Sequence, residues 1–377
     1  MKKPVLIILL VVLLLCVSPP AASAADATGV WVNNVQLTAA SPYWKNGNAP
    51  ASASDWNAYF NAASATLTLQ NAQIDTLSST AVNSSNRALV YANGDLTLEL
   101  SGTNTLQYAA TSTVTVNGVY AAGSLAVQGS GSAGIAINLG AATIDTRGIY
   151  AAGNIECRGG TLDIRITTGS TAQGLMSTNN TLYSGGQAAI QVKGRSGRIV
   201  NCPGGEFRMT GGTIDATAES TGANALGLLG LNVSLEGGEG SFRAYGVNLC
   251  YGLDYLSSNI SISGGRFVFS GDTSAIYCGM YGSKPPVNTA GVYIYVSESA
   301  DGSGLRSWTS SADGDLVSDS GFTSPFRYVL FTAVPIGAAQ PQTGDGRLPW
   351  LWSGIALCAL LFAAGLMFAA RQKRRGA

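Results

Sequence analysis

The sequence contains no histidine, and only 11% of its 377 residues are charged. Without histidine, a zinc site would need cysteine or carboxylate ligands alone. Four cysteines lie outside the two ends of the chain, and their spacing matches no metal-binding pattern. We therefore expect no metal and no other cofactor.

Apolar residues at helical spacing are also lacking. The stretch 150–166 shows the pattern that is present instead: Ile155 and Cys157 share one face, a Gly159-Gly160 pair follows, and then Leu162, Ile164 and Ile166 share a face. Alternation with a period of two is typical of strands with one buried side. The glycine pair between the runs predicts a sharp corner.

This unit recurs along the chain. Its leading apolar residue returns at intervals of 25 to 30 residues, at Leu96, Leu125, Ile155, Leu182, Phe207, Val233 and Ile260. A fixed period of this size with two or three strands per repeat predicts an all-β solenoid. The arrangement resembles the right-handed parallel β-helix of the pectin-lyase-like group, here with about 26 residues per coil and a cap at each end.

The ends of the chain have a different composition from the repeats. Two lysines, an apolar run over 5–17 and a small-residue Ala22-Ser23-Ala24 site predict a secretory signal peptide. We divide the chain into a signal peptide (1–24), an amino-terminal cap (25–75), β-helix coils (76–286), a carboxy-terminal cap (287–334), and a tether with a sorting signal (335–377).

The carboxy-terminal segment has three parts in a fixed order. Pro341, Gln342, Thr343 and Gly344 precede an apolar stretch over 350–370 and the basic residues of 371–375. This order resembles the cell-wall sorting signal of Gram-positive surface proteins. The resemblance implies a transmembrane segment over 350–370, cleavage by a sortase after Thr343, and a covalent bond from Thr343 to peptidoglycan. Gln340 stands where such signals usually have leucine, which leaves the sortase class open, and a permanent membrane anchor is the alternative.

Processing at both ends would change the charge of the chain. It would remove seven basic residues and one acidic residue from the 21 of each sign, leaving 14 basic and 20 acidic side chains. A net charge of −6 gives no electrostatic reason to bind nucleic acid. The signal peptide and the sorting signal together predict a location outside the cell, on the cell wall.

The beginning of the expected mature chain carries a second resemblance. The segments GVWVNNVQLT (29–38) and SATLTLQNAQI (64–74) are similar to those of extracellular β-helix proteins of clostridia and other anaerobic Gram-positive bacteria, which are associated with carbohydrate binding. Some of those proteins have aspartate-rich turns suited to calcium. This chain has no equivalent run, so a calcium requirement does not carry over.

Three tyrosines form the candidate ligand-binding site. Tyr91, Tyr120 and Tyr150 each precede a leading apolar residue by five positions, and alternation turns them outward. An outer row of aromatic rings is suited to sugar binding; the alternative is a supporting stack. In the following coils the same position is occupied by Ser177, Cys202, Leu228 and Tyr255. Since the next three of these are not aromatic, the row of tyrosines would span only three coils.

Two further features bear on function. Cys250 and Cys278 occupy similar places in successive coils, so they should lie one above the other as a disulfide or as buried thiols. The outward acidic residues are scattered rather than clustered, which argues against a catalytic site. We therefore expect a non-catalytic, surface-displayed carbohydrate-binding or adhesive module for an extracellular polysaccharide or a host glycan. The alternatives are a structural stalk or coat protein, and a polysaccharide lyase.

Overall fold

A computed structural model describes residues 25–78, 86–140, 145–256, 260–278, 287–289, 291–309, 315–317 and 324–336. The expected signal peptide, the Pro341–Gly344 motif and the apolar stretch 350–370 lie outside these residues. In the part that is described, no helix has the length and apolar character needed to cross a membrane. The chain divides into two units, Met1–Ala333 and Val334–Ala377, and the repeats belong to the first.

The predicted all-β solenoid is confirmed. The amino-terminal part contains β1 (Val30–Val32), β2 (Val35–Leu37), β3 (Tyr43–Trp44), a short 3-10 turn (Asn46–Asn48), β4 (Ala58–Asn61), β5 (Thr66–Gln70) and β6 (Gln73–Ile74). The coils contain β7 (Asn86–Ala92), β8 (Leu96–Ser101), β9 (Thr103–Tyr108), β10 (Thr115–Ala121), β11 (Leu125–Gly129), β12 (Gly134–Gly140), β13 (Thr146–Ala151), β14 (Ile155–Cys157), β15 (Thr161–Thr167), β16 (Thr171–Ser177), β17 (Thr181–Tyr183), β18 (Gln187–Gly194), β19 (Ser196–Met209), β20 (Thr213–Ser220), β21 (Ala225–Leu235), β22 (Glu239–Gly246), β23 (Cys250–Tyr255), β24 (Ile260–Ile262), β25 (Arg266–Gly271), β26 (Ser274–Cys278) and β27 (Val287–Thr289). The last strands are β28 (Tyr293–Ser297), β29 (Arg306–Ser307) and β30 (Tyr328–Thr332).

Successive coils pair in parallel and repeat about every 27 residues over about seven turns. Each coil contributes one strand to each of three stacks. The first stack contains β7, β10, β13, β16, β19, β21, β23 and β26; the second runs from β5 and β8 to β24 and β27; the third runs from β6 and β9 to β22 and β25. Because β19 and β21 are long enough to continue from the first stack into the second, these two stacks form one 19-stranded sheet.

The interior is filled by columns of equivalent apolar side chains. In the third stack Ile137, Ile164 and Ile190 are adjacent in register, and all three are completely buried. A single coil could not remove these side chains from water, whereas stacking buries each one between its neighbours. The hydrophobic effect therefore stabilises the stack as a whole.

The predicted leading column is confirmed except at one coil. Thr181, not Leu182, lies in register between Ile155 and Phe207, and Leu182 is half-buried on the outer side. Two contacts favour this register: Thr181 Oγ1 lies 2.9 Å from Ser177 Oγ, and the buried Tyr183 donates a hydrogen bond to the Thr213 carbonyl over 3.3 Å. The hydroxyls of Thr181 and Tyr183 therefore have hydrogen-bond partners inside the solenoid. For this reason the polar Thr181 faces inward, and a prediction from apolar alternation alone places Leu182 on the wrong face.

The glycine pairs form the predicted corners. The second glycine of each pair has a φ between 76° and 87°, as at Gly160 (83°) and Gly238 (87°). Residues with a Cβ rarely adopt this conformation. The pairs therefore turn the chain from the second stack into the third at the same place in the five coils that contain them.

Antiparallel strands close both ends of the solenoid. At the amino-terminal end β1 pairs with β2 and with β7, and Trp44 is buried with its indole nitrogen 2.6 Å from Asn48 Oδ1. At the other end β30 pairs with β25, and β28 pairs with β30. Such strands cover edges that would otherwise template further pairing.

The cysteine prediction is wrong. Cys250 is in register with Ala225, whereas Cys278 is in register with Tyr255, and both thiols are free and buried. Ala244 is in register with Gly271 before the corner, and Tyr251 is in register with Ser274 after it. The corner advances the chain by seven residues in the first coil and by three in the next. The longer corner separates the two cysteines, so they form neither a disulfide nor a thiol ladder.

We predict that Ile164→Asp lowers the free energy of unfolding by on the order of 4 kcal/mol, because it places an unpaired carboxylate between two coils. The matched control is Arg165→Ala, which removes an exposed side chain paired with Asp163 at 3.1 Å and should cost about 0.5 kcal/mol or less. Denaturant unfolding of both variants measures the difference. Equal losses would contradict the inward and outward assignment.

Candidate functional site

The three candidate tyrosines lie in one column on the outside of the first stack. Tyr91 is in register with Tyr120, and Tyr120 with Tyr150. Their chain neighbours Val90, Val119 and Ile149 are completely buried in the core. The rings contact one another: the Tyr91 and Tyr120 centroids are 5.6 Å apart with planes tilted by 46°, and those of Tyr120 and Tyr150 are 4.7 Å apart and stacked.

The stacking determines which part of each ring meets the outside. Where two rings stack, their faces cover each other, and the edges and hydroxyls point away from the solenoid. Within the described part of the chain, none of these three hydroxyls makes a hydrogen bond, and none is sealed from solvent. Burial of the rings raises the pKa of Tyr91 and Tyr120. Tyr91 is 7% exposed, and Tyr120 and Tyr150 are half-buried, so the column presents hydroxyl groups rather than open ring faces.

The column is longer than the sequence predicted. Trp31 extends it at the amino-terminal end, where its ring centroid lies 5.1 Å from that of Tyr91. After Tyr150 it continues through a second set of residues rather than through Ser177, Cys202, Leu228 and Tyr255. In order, these are Met176, Asn201, Leu229, Asp254 and Tyr277.

A second outer column runs beside the first. Its members are Asn117, Arg147, Gln173, Arg198, Leu226 and Tyr251. Each lies three residues before its partner in the first column, so strict alternation would put the two on opposite faces. We refer to the two columns together, from Trp31 to Tyr277, as the outer strip.

In five of the six coils a glycine lies between the columns, and in the sixth the buried Ile199 takes its place. A Cβ on Gly148 would lie 2.6 Å from Ile164 Cγ2 and 2.7 Å from the Gly174 carbonyl oxygen. Position 148 therefore faces the core, as does Ile149, and the residues on either side both face outward. As a result the Arg147 guanidinium lies 4.9 Å from the centre of the Tyr150 ring, a cation–π distance.

The middle of the outer strip is polar and incompletely hydrogen-bonded. Asn117 and Asn201 are almost fully buried, and each uses its amide nitrogen: Asn117 donates to the Arg87 carbonyl over 2.9 Å, and Asn201 donates to Gln173 Oε1 over 2.7 Å. Five buried atoms of the strip lack a hydrogen-bond partner among the described residues: Asn117 Oδ1, Arg147 Nε, Arg198 Nε, Asn201 Oδ1 and Asp254 Oδ1. A buried polar atom without a hydrogen-bond partner lowers the free energy of unfolding by about 1–3 kcal/mol.

The far end of the strip is aromatic and apolar again. The Tyr251 and Tyr277 rings stack with centroids 4.3 Å apart and planes within 4°. Leu226 and Leu229 pack with them in a cluster that is separate from the main core, and Leu256 borders it. Burial raises the pKa of Tyr251 to about 12, with a smaller contribution from Tyr277.

Asp254 is the one carboxylate of the outer strip. It lies in register between Leu229 and Tyr277. Burial raises its pKa to about 7, and the nearby Arg198 charge offsets part of that increase. This carboxyl group is therefore near half-protonation at about pH 7, in a strip whose other members are aromatic, amide, arginine and apolar side chains.

The remaining faces carry paired charges. Glu156 accepts a hydrogen bond from Arg158 over 2.7 Å, which lowers the pKa of Glu156, and Glu236 is paired in the same way with Arg208 at 2.8 Å. An open cavity of about 290 Å³ on the second stack is lined by Asp26, Asp95 and Glu156, among others. Among the described residues, no group of three or more acidic or cysteine side chains has the geometry of a metal site.

The sequence does contain a signal for the second column. An outward residue, a glycine, an apolar residue and a second outward residue follow one another in five coils, as in Asn117-Gly-Val-Tyr120, Arg147-Gly-Ile-Tyr150 and Tyr251-Gly-Leu-Asp254. Recognising this four-residue repeat requires knowing that the glycine faces inward. Strict alternation cannot reveal that.

Comparison of the chain with protein-family models, with curated proteins and with solved structures finds no significant match in any of the three.

We predict that Asp254→Asn removes a pH-dependent loss of stability. Because the folded-state pKa of Asp254 lies above its ordinary value, the folded chain holds this proton more tightly than the unfolded chain, and stability falls as pH rises from about 4 to about 7. The variant should therefore be more stable than the native chain above about pH 7, with a difference that disappears near pH 4. Unfolding curves over this range test it, and a difference independent of pH would contradict it.

Proposed function

We propose that this protein is a non-catalytic carbohydrate-binding module displayed on the cell surface. The observation that supports this most directly is the column of tyrosine hydroxyls from Tyr91 to Tyr150 on one face of the solenoid. Phenol hydroxyls can both donate and accept hydrogen bonds, which suits the hydroxyl groups of a sugar. The ring edges beside them offer apolar contact for the carbon–hydrogen groups of the same ligand.

Three features favour a binding face over a catalytic one. The outer strip has a single carboxylate, Asp254, whereas glycoside hydrolysis ordinarily needs two that face each other. The carboxylates of Glu156, Asp163 and Glu236 on the other faces are engaged in ion pairs. A rigid, preformed surface also suits binding, because little conformational entropy is lost when a ligand docks.

The proposed location is the cell wall, with a sortase and peptidoglycan as processing partners. It is supported by the sequence of the carboxy-terminal segment, where Pro341, Gln342, Thr343 and Gly344 precede an apolar stretch and a basic end. Covalent attachment at Thr343 would hold the solenoid outside the membrane, where polysaccharides or host glycans are accessible.

A structural stalk is the second candidate, and the ion pairs between successive coils favour it. Arg208 binds Glu236 at 2.8 Å and Lys193 binds Glu219 at 2.6 Å, each across one coil. Such contacts would stiffen a rod without any ligand. A glycan array probed with the purified protein distinguishes the candidates, since a stalk should bind none of the glycans.

The binding proposal predicts the behaviour of a triple Tyr91→Phe, Tyr120→Phe, Tyr150→Phe variant. It keeps the stacked rings but loses the hydroxyl row, so its melting temperature should be nearly unchanged. Its affinity for a glycan found on the array should fall at least about tenfold, since three hydrogen bonds are lost and each contributes about 0.5–1.5 kcal/mol. Calorimetric titration beside a melting curve measures both.

The triple alanine variant is the complementary control. It removes the stack itself and should lower both stability and affinity. Unchanged affinity in a folded phenylalanine variant would eliminate the hydroxyl row as the contact surface.

The proposed anchoring predicts that Thr343→Ala leaves the protein in the membrane fraction instead of covalently on peptidoglycan. Cell fractionation followed by enzymatic release from the wall measures the distribution. A conservative Gln342→Asn variant, which leaves the cleavage site intact, should still reach the wall. Equal wall-bound amounts of the Thr343→Ala variant and the native protein would contradict the proposal.

A further inference from the structure

We infer that a cleft on the outside of the third stack binds a neutral sugar or short oligosaccharide, with one sugar ring against the aromatic ring of Tyr245. The cleft has a volume of about 360 Å³ and crosses β15, β18, β20 and β22. This inference takes its ligand class from the proposed function, but it places the ligand on a different face from the outer strip.

Strand alternation brings two columns of side chains to the surface of the cleft. One column is in register across four successive coils and comprises Thr167, Lys193, Glu219 and Tyr245. The other lies two residues earlier in its strands and comprises Arg165, Gln191 and Thr217. All of these side chains are exposed or half-buried. Coils about 4.8 Å apart give the first column a length of about 14 Å, which suits a short oligosaccharide.

Tyr245 gives the cleft an open aromatic ring. The residue is 42% exposed, and no other aromatic ring among the described residues stacks on it. It differs in this respect from Tyr120 and Tyr150, whose rings stack on each other. An accessible ring offers apolar surface to the carbon–hydrogen groups of a sugar.

Three polar side chains of the cleft are available to a ligand. Thr167 and Gln191 are exposed, and Thr217 is half-buried. Within the described part of the chain these side chains make no hydrogen bond, and none of their polar atoms is sealed from solvent. Hydroxyl and amide groups both donate and accept hydrogen bonds, which matches the hydroxyl groups of a sugar.

The charged groups of the cleft favour an uncharged ligand. Arg165 pairs with Asp163 at 3.1 Å, and Lys193 pairs with Glu219 at 2.6 Å. Each cation therefore already has its own carboxylate, and an acidic sugar would have to compete with Asp163 or Glu219 for it. The hydroxyl groups of a neutral sugar can bind beside both ion pairs without breaking either.

The test uses the purified full chain on an array of neutral and acidic oligosaccharides, followed by calorimetric titration, which measures the number of sites and the affinity of each. The variants are Tyr245→Ala, Tyr245→Phe and Gln191→Ala. Tyr293→Ala, which changes an exposed tyrosine on β28, and Gln187→Ala, which changes an exposed glutamine of β18 outside the cleft, are the matched controls. Melting curves establish that each variant is folded.

Tyr245→Ala should weaken one site for a neutral oligosaccharide about tenfold, since it removes the ring. Tyr245→Phe should bind almost as the native chain does, because the ring face makes the contact. Gln191→Ala should lose about fivefold through one hydrogen bond, and the controls should lose nothing. The triple phenylalanine variant of the outer strip should leave this site unchanged, because the two sites lie on different faces.

Native affinity at every site of the Tyr245→Ala variant would overturn the cleft while leaving the proposed function at the outer strip intact. Binding through Tyr245 of acidic oligosaccharides alone would overturn the ligand class. A native chain that binds no glycan would overturn the inference and the proposed function together.

Discussion

The structure depends on backbone hydrogen bonding between successive parallel coils. This pairing holds equivalent residues about 4.8 Å apart, so each side chain has its own counterpart above and below it. The constraint is strict enough to fix residue types: the Cβ of any larger residue at position 148 would meet the Gly174 carbonyl oxygen at 2.7 Å. Columns of isoleucine in the core and of glycine at the bends satisfy the same requirement.

The same constraint determines what the outer surface can do. A side chain that faces outward cannot act alone, because its neighbours along the axis are its equivalents in adjacent coils. Tyrosines become a stacked row, as at Tyr120 and Tyr150, and amides become a hydrogen-bonded line, as at Gln173 and Asn201. A solenoid therefore presents extended, repetitive surfaces, and these are complementary to extended, repetitive ligands.

Much of this could be read from the sequence. Alternation and the glycine pairs predicted the strands and corners, and equal spacing predicted that Tyr91, Tyr120 and Tyr150 would share a column, as they do. The errors occur where coil length or alternation changes. Four extra residues in the corner between β22 and β23 separate Cys250 from Cys278.

The sequence by itself determined the fold class, since the period and polarity of a repeat depend only on which residues recur and how far apart. Tertiary structure decided which neighbouring residues of each coil share the outer face. The inward turn at Gly148 brings Arg147 onto the same side as Tyr150, and a shorter corner brings Tyr277 against Tyr251. Both depend on backbone contacts between coils, and these form only after stacking has brought distant segments together.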